Sequence, residues 1–402
     1  MLDGMRVVSF CHYLQGPAAS QYLADLGALV VKVEPPRGAY ERYWSGANTF
    51  VDGISAFYLS ANRNKLSLAV DLKHPDAKAV IERLLARADA VVENFRPGVL
   101  DRLGFGYEQA RAIKPDIIYA SATGFGATGP MAERPGQDLL VQAYSGLVAA
   151  TGHLDERPTA IGLAAVDQHG AALMALGVVA AYVKKLKTGK GTRVEASLLA
   201  AGLDLQTEAL TLYLTRRLQK DDGRALFSRD PHLATWFHEA PYGIYRCADA
   251  WLALSLNDTA KLARALGSDQ LAALADRDRY DHRDEIAKVV AGGVAHRRLD
   301  DLKEGFDREA IWYQRVHEYD ELPDDPQIRH NESFREVPVK SGRAILVNHP
   351  NRYDGEVPAL RHLALEIGED TRAVLADLGY GDGEIRDLLA SGAVHAPKEE
   401  AR

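Results

Sequence analysis

Six short strand-like runs punctuate the first half of the chain, with helix-patterned segments among them. The runs are MRVVSF (5–10), ALVVKVE (28–34), LSLAVDL (66–72), ADAVVENF (88–95), DIIYASA (116–122) and TRVEAS (192–197). GPAASQYLADLG (16–27) has helical spacing, opened by Gly16–Pro17 and closed by Gly27, and HPDAKAVIERLLARA (74–88) continues the pattern. Apolar runs alternating with helices predict parallel strands covered on both faces. The first half is therefore expected to be an open, doubly wound α/β domain. Ligands of such sheets bind beyond the carboxyl ends of the strands. That rule singles out the loops CHYLQGP (11–17), EPPRGAYERYW (34–44), NFRPG (94–98) and TGFGATGP (123–130).

A chain of 402 residues exceeds the usual size of one domain, so a second is expected. From about residue 220 the pattern changes. KDDGRALFSRDPHLATWFHEAPYG (220–243) is irregular and aromatic, GIYRCADAWLALSL (243–256) alternates like a hairpin, and the following stretch to about 325 is helical and charged. This predicts a smaller α+β domain. Two short helices separated by Gly379–Gly383 are expected near the C-terminus.

The net charge of −8 disfavours nucleic acid and anionic membrane as partners. Two cysteines without C-x-x-C spacing, Cys11 and Cys247, argue against a disulfide framework or a thiolate metal site and point to a reducing cytoplasm. MLDGMRVVSF lacks the pattern of a signal peptide. AALMALGVVAAYV (171–183) falls short of the roughly 20 residues a membrane span needs and reads as a buried helix.

Several chemistries lack their residues. The first turn of a dinucleotide fold needs G-x-G-x-x-G, whereas CHYLQGPAAS has one glycine, and Glu34 at the end of the second run is weak evidence alone. No G-x-S-x-G elbow, P-loop or H-E-x-x-H motif occurs, and no metal site is expected. What remains is a spread of cations and amides: Arg37, Arg42, Asn62, Arg63, Asn64, Lys65, Arg96 and Arg102. Singly, each reads best as a solvated surface group. NRNK (62–65), directly before a buried strand, suits an anion lying over the sheet end. In RPGQDLLVQAYSGL (134–147), Asp138 opens an apolar helical segment just after a glycine-rich stretch. Helix capping, worth about 1 kcal/mol, and catalysis explain that carboxylate equally well from spacing alone.

The order of six segments resembles the family III CoA-transferases, which include formyl-CoA transferase and carnitine CoA-transferase and are related to α-methylacyl-CoA racemase. The segments are SFCHYLQGPAASQYLADLGALVVKVEPPRG (9–38), SANRNKLSLAVDLKHPDAK (60–78), ENFRPGVLDRLGFGYE (93–108), ATGFGATGPMAERPGQDLLVQAYSGL (122–147), GKGTRVEASLL (189–199) and DTRAVLADLGYGDGEI (370–385). The resemblance implies that Asp138 is the nucleophile. It would carry the donor acyl group as a mixed anhydride and then CoA as a thioester. It further implies Gln15, in a catalytic role, and the glycine loop GFGATG (124–129), with Gly124 and Gly126 binding the coenzyme, as active-site neighbours where oxyanions need donors. CoA itself would be bound by Arg37 or Arg42, by Asn62 and Lys65 of the NRNK turn, and by Arg102, with Lys65 and Arg102 contacting phosphate. Acyl-CoA and a carboxylic acid are the implied substrates, with no prosthetic group.

The implied architecture is an interlocked homodimer. Its large Rossmann-like, CoA-binding domain would span 1–205, with a C-terminal return at 340–402. The small domain would span 225–325, and 206–224 and 326–339 would be linkers. Racemases place a histidine before the matching aspartate. Here that position is Gln137, which argues for transfer, although a second acid is retained as Asp167 beside His169 in AAVDQHG. A racemase or epimerase and a non-catalytic CoA-binding protein remain the alternatives. Two departures from the transferases are HLATWFHEAPYG (232–243), with only Gly243 where some members carry a glycine tetrad, and GEDT (368–371), which lacks a histidine. The aromatics of WFHEAPYGIY (236–245) and Tyr40, Tyr43 and Trp44 read better as core and interface than as an acyl pocket.

Overall fold

Each of the six strand-like runs forms a strand: β1 Arg6–Phe10, β2 Leu29–Glu34, β3 Lys65–Val70, β4 Ala90–Glu93, β5 Ile118–Thr123 and β6 Thr192–Ser197. They lie parallel in the order β3-β2-β1-β4-β5-β6, and the short strand Val394–His395 adds antiparallel to the outer edge of β3. This computed structural model describes residues 1–220 and 223–398. Positions 221–222 of the segment read as a linker, and 399–402 of the C-terminal return, lie outside the described residues.

Strand side chains alternate between two faces. Val8, Val31, Val91 and Tyr119 share a register row and pack into one core, with Ile81, Leu85 and Val374 of the covering helices. Val7, Val30, Ala90 and Ile118 form the adjoining row and face the other core. That second core is built largely from small residues. Ala18, Ala19 and Ala24 of α1 (Gln15–Asp25) meet Ala171, Met174, Ala175 and Val178 of a 24-residue helix, Ala165–Thr188. The long helix ends at Gly189, whose φ of 68° suits a left-handed C-cap. The helix expected to be buried is buried along one stripe, while Leu176, Val183 and Leu186 face outward. By length and composition alone it is apolar enough to cross a membrane.

The chain divides into two compact units, one formed by Met1–Val141, Ala164–Leu205 and the residues from Asp324 on, the other by Gln142–Leu163 and Gln206–Pro323. The first unit also holds two hairpins, Phe50–Val51 with Ile54–Ser55 and Phe334–Val339 with Gly342–Val347. The stretch 326–339 thus carries the helix Pro326–His330 and a hairpin strand, and 206–224 contains the helix Thr207–Gln219. The second unit contains an antiparallel sheet of β7 Gly243–Arg246, β8 Trp251–Leu254 and β9 Tyr313–Arg315, with β8 central. Tyr245, Leu252, Leu262, Ile286, Val290 and Phe306 fill its core.

Near the sheet of the first unit, three ion pairs are buried among the described residues. Lys32 Nζ lies 2.7 Å from Glu41, and the Arg63 guanidinium lies 2.7 Å from Asp25. Arg42 grips Glu34 with two bonds of 2.7 Å, and Ser67 donates to the same carboxylate at 2.6 Å. Burial alone would raise the Glu34 carboxyl, but the hydrogen bonds and charge of Arg42 hold it below its usual range. A buried charge that loses its partner costs about 3–5 kcal/mol. Arg42→Ala is therefore expected to lower unfolding stability by about that amount in urea titrations, and adding Glu34→Gln should recover part of the loss.

Candidate active site

The path to Asp138 begins where β5 ends. A Cβ placed on Gly124 would lie 2.4 Å from the Cα of Gly136, and one on Gly136 would lie 2.2 Å from the Cα of Gly124. Two stretches of backbone therefore touch where any side chain would collide, and both residues must be glycine. Gly126 turns the loop with a φ of 112° and donates its N–H to Thr123 Oγ1 at 3.0 Å. That N–H is engaged by the protein, which gives Gly126 a role in the turn. Gly124 likewise acts through close approach.

Two residues beyond that crossing, Asp138 opens α2 (Asp138–Tyr144) with its side chain buried. Its Oδ1 accepts from Val166 N at 2.8 Å and from Asp167 N at 3.0 Å. These belong to the first turn of α3, the 24-residue helix Ala165–Thr188, whose leading N–H groups have no partner within their own helix. The residue before α3 is Ala164, with no side chain able to cap. Asp138 is thus a capping acid, but of a helix whose first turn, at Val166, lies 28 residues further along the chain. The partial positive charge at that helix start adds to the attraction.

Gln15, the first residue of α1, converges on the same helix. It is only 4% exposed, and its Nε2 is buried without a hydrogen-bond partner. A Cβ on Gly170, one turn past Val166, would lie 2.6 Å from that nitrogen, so the glycine makes the space the amide occupies. Leaving such a donor unpaired costs about 1–3 kcal/mol, and an orphaned amide of this kind suits a site completed by substrate.

Asp167 supplies the second acid. Burial, followed by the negative charge of Asp138, raises its carboxyl to about 7. His169 instead pairs with Asp204, 2.7 Å from Nε2 to Oδ2. Glu93, at the carboxyl end of β4, is also raised to about 7, by burial first and the Asp101 charge next. Beside it Asn94 ties the loops after β1 and β4 together, accepting from His12 N at 2.9 Å and donating to His12 O at 2.8 Å. The strand order changes direction between β1 and β4, so this bridge sits at the switch point where such sheets bind ligands.

The NRNK turn is a correction. Lys65 is 1% exposed, and its ammonium donates to Pro17 O, Ala61 O and Asn62 Oδ1 at 2.7, 2.7 and 2.9 Å. No N–H remains for a phosphate. Asn62 is buried and donates to Tyr58 O, while Arg63 and Asn64 both reach Asp25. Arg42 and Glu34 are consumed by each other. Arg37 and Arg96 are exposed in the loops after β2 and β4, and Arg102 is exposed at the end of the short helix Val99–Arg102, where an anion could meet them. Tyr40, Tyr43 and Trp44 are exposed rather than core, whereas Trp236 and Tyr245 are buried. Among the described residues, no group of three or more His, Cys, Asp or Glu could hold a metal ion.

The sequence reading missed the backbone amides of Val166 and Asp167, the Gly136 contact and the Gly170 notch. The last two left a signal, since glycine in a helix or before one asks for a packing reason.

Residues 2–371 match the profile of CoA-transferase family III. The chain is 31% identical to succinyl-CoA:glutarate CoA-transferase of Mus musculus, over 98% of this chain and 90% of that protein. It is also 31% identical to succinyl-CoA–D-citramalate CoA-transferase of Chloroflexus aurantiacus, over 98% of both. Among solved structures it is similar to a CAIB/BAIF family protein from Brucella suis, with a TM-score of 0.80 and 28% identity over 94% of this chain and 99% of that one.

Two outcomes are expected. Gly136→Ala drives a methyl group into the Gly124 backbone and should destabilise the protein by roughly 1–3 kcal/mol in urea unfolding. The Asp167 carboxyl titrates near 3.8 when unfolded and about 7 when folded. The folded state therefore holds the extra proton between those values, and this stabilising contribution is lost as pH rises through 7. Asp167→Asn should gain on the wild type by roughly 1–4 kcal/mol between pH 4 and pH 8, seen as a flatter stability–pH curve.

Proposed function

The chain belongs to CoA-transferase family III, and from that premise we propose that it moves CoA reversibly between an acyl-CoA and a free carboxylic acid through covalent intermediates on Asp138. The observation that carries this reading is the Asp138 carboxylate itself, buried and fixed through Oδ1 by two backbone amides. A carboxylate suits the chemistry because its acyl derivatives preserve the energy of the thioester. It attacks the donor thioester to give a mixed anhydride and CoA thiolate. The thiolate attacks the aspartyl carbonyl, releasing the donor acid and leaving an aspartyl-CoA thioester. The acceptor acid then runs the sequence in reverse. Transfer between two carboxylates of one diacid would use the same steps.

Exposed Arg37 and Arg102 would contact the phosphates of CoA, and exposed Arg96 in the NFRPG loop is a further cation for the same ligand. Relatives named for succinyl-CoA with glutarate or citramalate favour a dicarboxylic substrate pair. Racemisation needs proton-transfer groups on both faces of the α-carbon. Asp167 would serve as one, but Gln137 offers an amide in place of the second base. The outward Leu176, Val183 and Leu186 of α3 support the reading that two chains interlock as a homodimer. Buried, unpaired Cys11 and Cys247 suit a reducing cytoplasm.

The test is to incubate the protein with succinyl-CoA, quench with hydroxylamine or borohydride, and map the modified peptide. Modification at Asp138 is expected, with succinyl-CoA:glutarate exchange lost more than about 10³-fold in Asp138→Ala. Exchange that survives this substitution would refute the assignment.

A further inference from the structure

Asp138 Oδ1 lies 2.8 Å from Val166 N and 3.0 Å from Asp167 N before any substrate arrives. From this geometry we infer that these two backbone N–H groups, at the start of α3, are the oxyanion hole for the tetrahedral intermediates formed at the Asp138 carbonyl carbon. The inference rests on the transfer reading above and deepens it. In two of the four addition steps the atom attacked is Cγ of Asp138 rather than a substrate carbon. First, CoA thiolate adds to Cγ of the anhydride, and the C=O pair moves onto Oδ1. That pair returns to re-form the carbonyl and expels the donor carboxylate, which departs with the former Oδ2. Later, the acceptor carboxylate adds to Cγ of the thioester, the pair moves onto Oδ1 again, and its return expels CoA thiolate. One negative charge enters and one leaves in each step, and no proton is required.

In both steps the charge develops on Oδ1, the oxygen already held. Because Cγ stays tethered through Cβ, Oδ1 moves little as the centre becomes tetrahedral, and its donors need no rearrangement. That is the condition under which hydrogen bonds stabilise a transition state most effectively. α3 is 24 residues long and lacks a side-chain cap of its own at Ala164, so its leading amides are available to Asp138.

A second, independent observation points to a reacting group in the same place. Gln15 Nε2 is sealed from solvent without an acceptor, pressed into the notch at Gly170 one turn along α3. An unused buried donor against this helix start is what a site awaiting substrate oxygen would contain. The other two additions, at the substrate acyl carbon, would draw on it.

The experiment replaces Val166 in the full-length protein with its α-hydroxy acid analogue, which keeps the isopropyl side chain and exchanges one backbone N–H for an ester oxygen. The expected result is a kcat for succinyl-CoA:glutarate exchange about 100-fold lower. KM for succinyl-CoA should be unchanged, and the hydroxylamine-trapped Asp138 adduct should both form and decay more slowly. Wild-type turnover by the ester protein would overturn the inference. If the wild type itself forms no Asp138 adduct, the transfer reading fails and takes the inference with it, a result recognisable without the variant. Infrared difference spectra of wild-type protein labelled with [13C]aspartate, with and without succinyl-CoA, decide the matter even if the ester protein does not fold. The thioester carbonyl band should lie below that of the same adduct in guanidinium, and an equal or higher frequency would overturn the inference.

Discussion

The structure turns on one carboxylate oxygen and two backbone amides. A long helix has leading N–H groups that must find acceptors, and α3 begins at alanine, with no local side chain to provide one. Asp138 provides it from a different part of the chain. This joins β5, the glycine loop, α2 and α3 into a single arrangement, since displacing any of them withdraws the acceptor. Structural and chemical demands coincide here: the contact that fixes the helix start also fixes the orientation of the carboxylate.

The polar interior of the large unit has a related effect. The pairs Glu34–Arg42, Lys32–Glu41 and Asp25–Arg63 are buried around the sheet. Such pairs add little net stability against apolar replacements, but each strongly resists the loss of one member. Arg42 also reaches Ala364 O and Leu365 O, and Arg63 reaches Val347 O. The C-terminal segments are thereby fastened to the first βα units. These charges hold loops in place.

That division marks what the sequence could reveal. Apolar runs separated by helices specified the strands and their parallel pairing, because burial on both faces leaves a pattern in hydrophobicity. Asp138 stood out because a carboxylate opening an apolar helix is locally conspicuous. The NRNK turn was misread because the sequence displays charge but not partners: Pro17 O and Asp25 lie some forty residues away. The strand Val394–His395, two residues long, is too short for periodicity to register. The amides of Val166 and Asp167 carry no side-chain signature at all, and only the folded arrangement discloses which oxygen they meet.

The backbone crossing of Gly124 and Gly136 closes the residues between them into a ring whose outer members, such as Thr128, Glu133 and Arg134, are exposed. A ring clasped at its base can change in length or composition at its far side without transmitting strain to the helix beyond the clasp. Descendants of this sequence are thus free to diversify that rim, or a protein engineer to randomise it, while Asp138 keeps its seat. Novelty at the periphery and constancy at the centre are separated here by a single pair of residues that have no side chain.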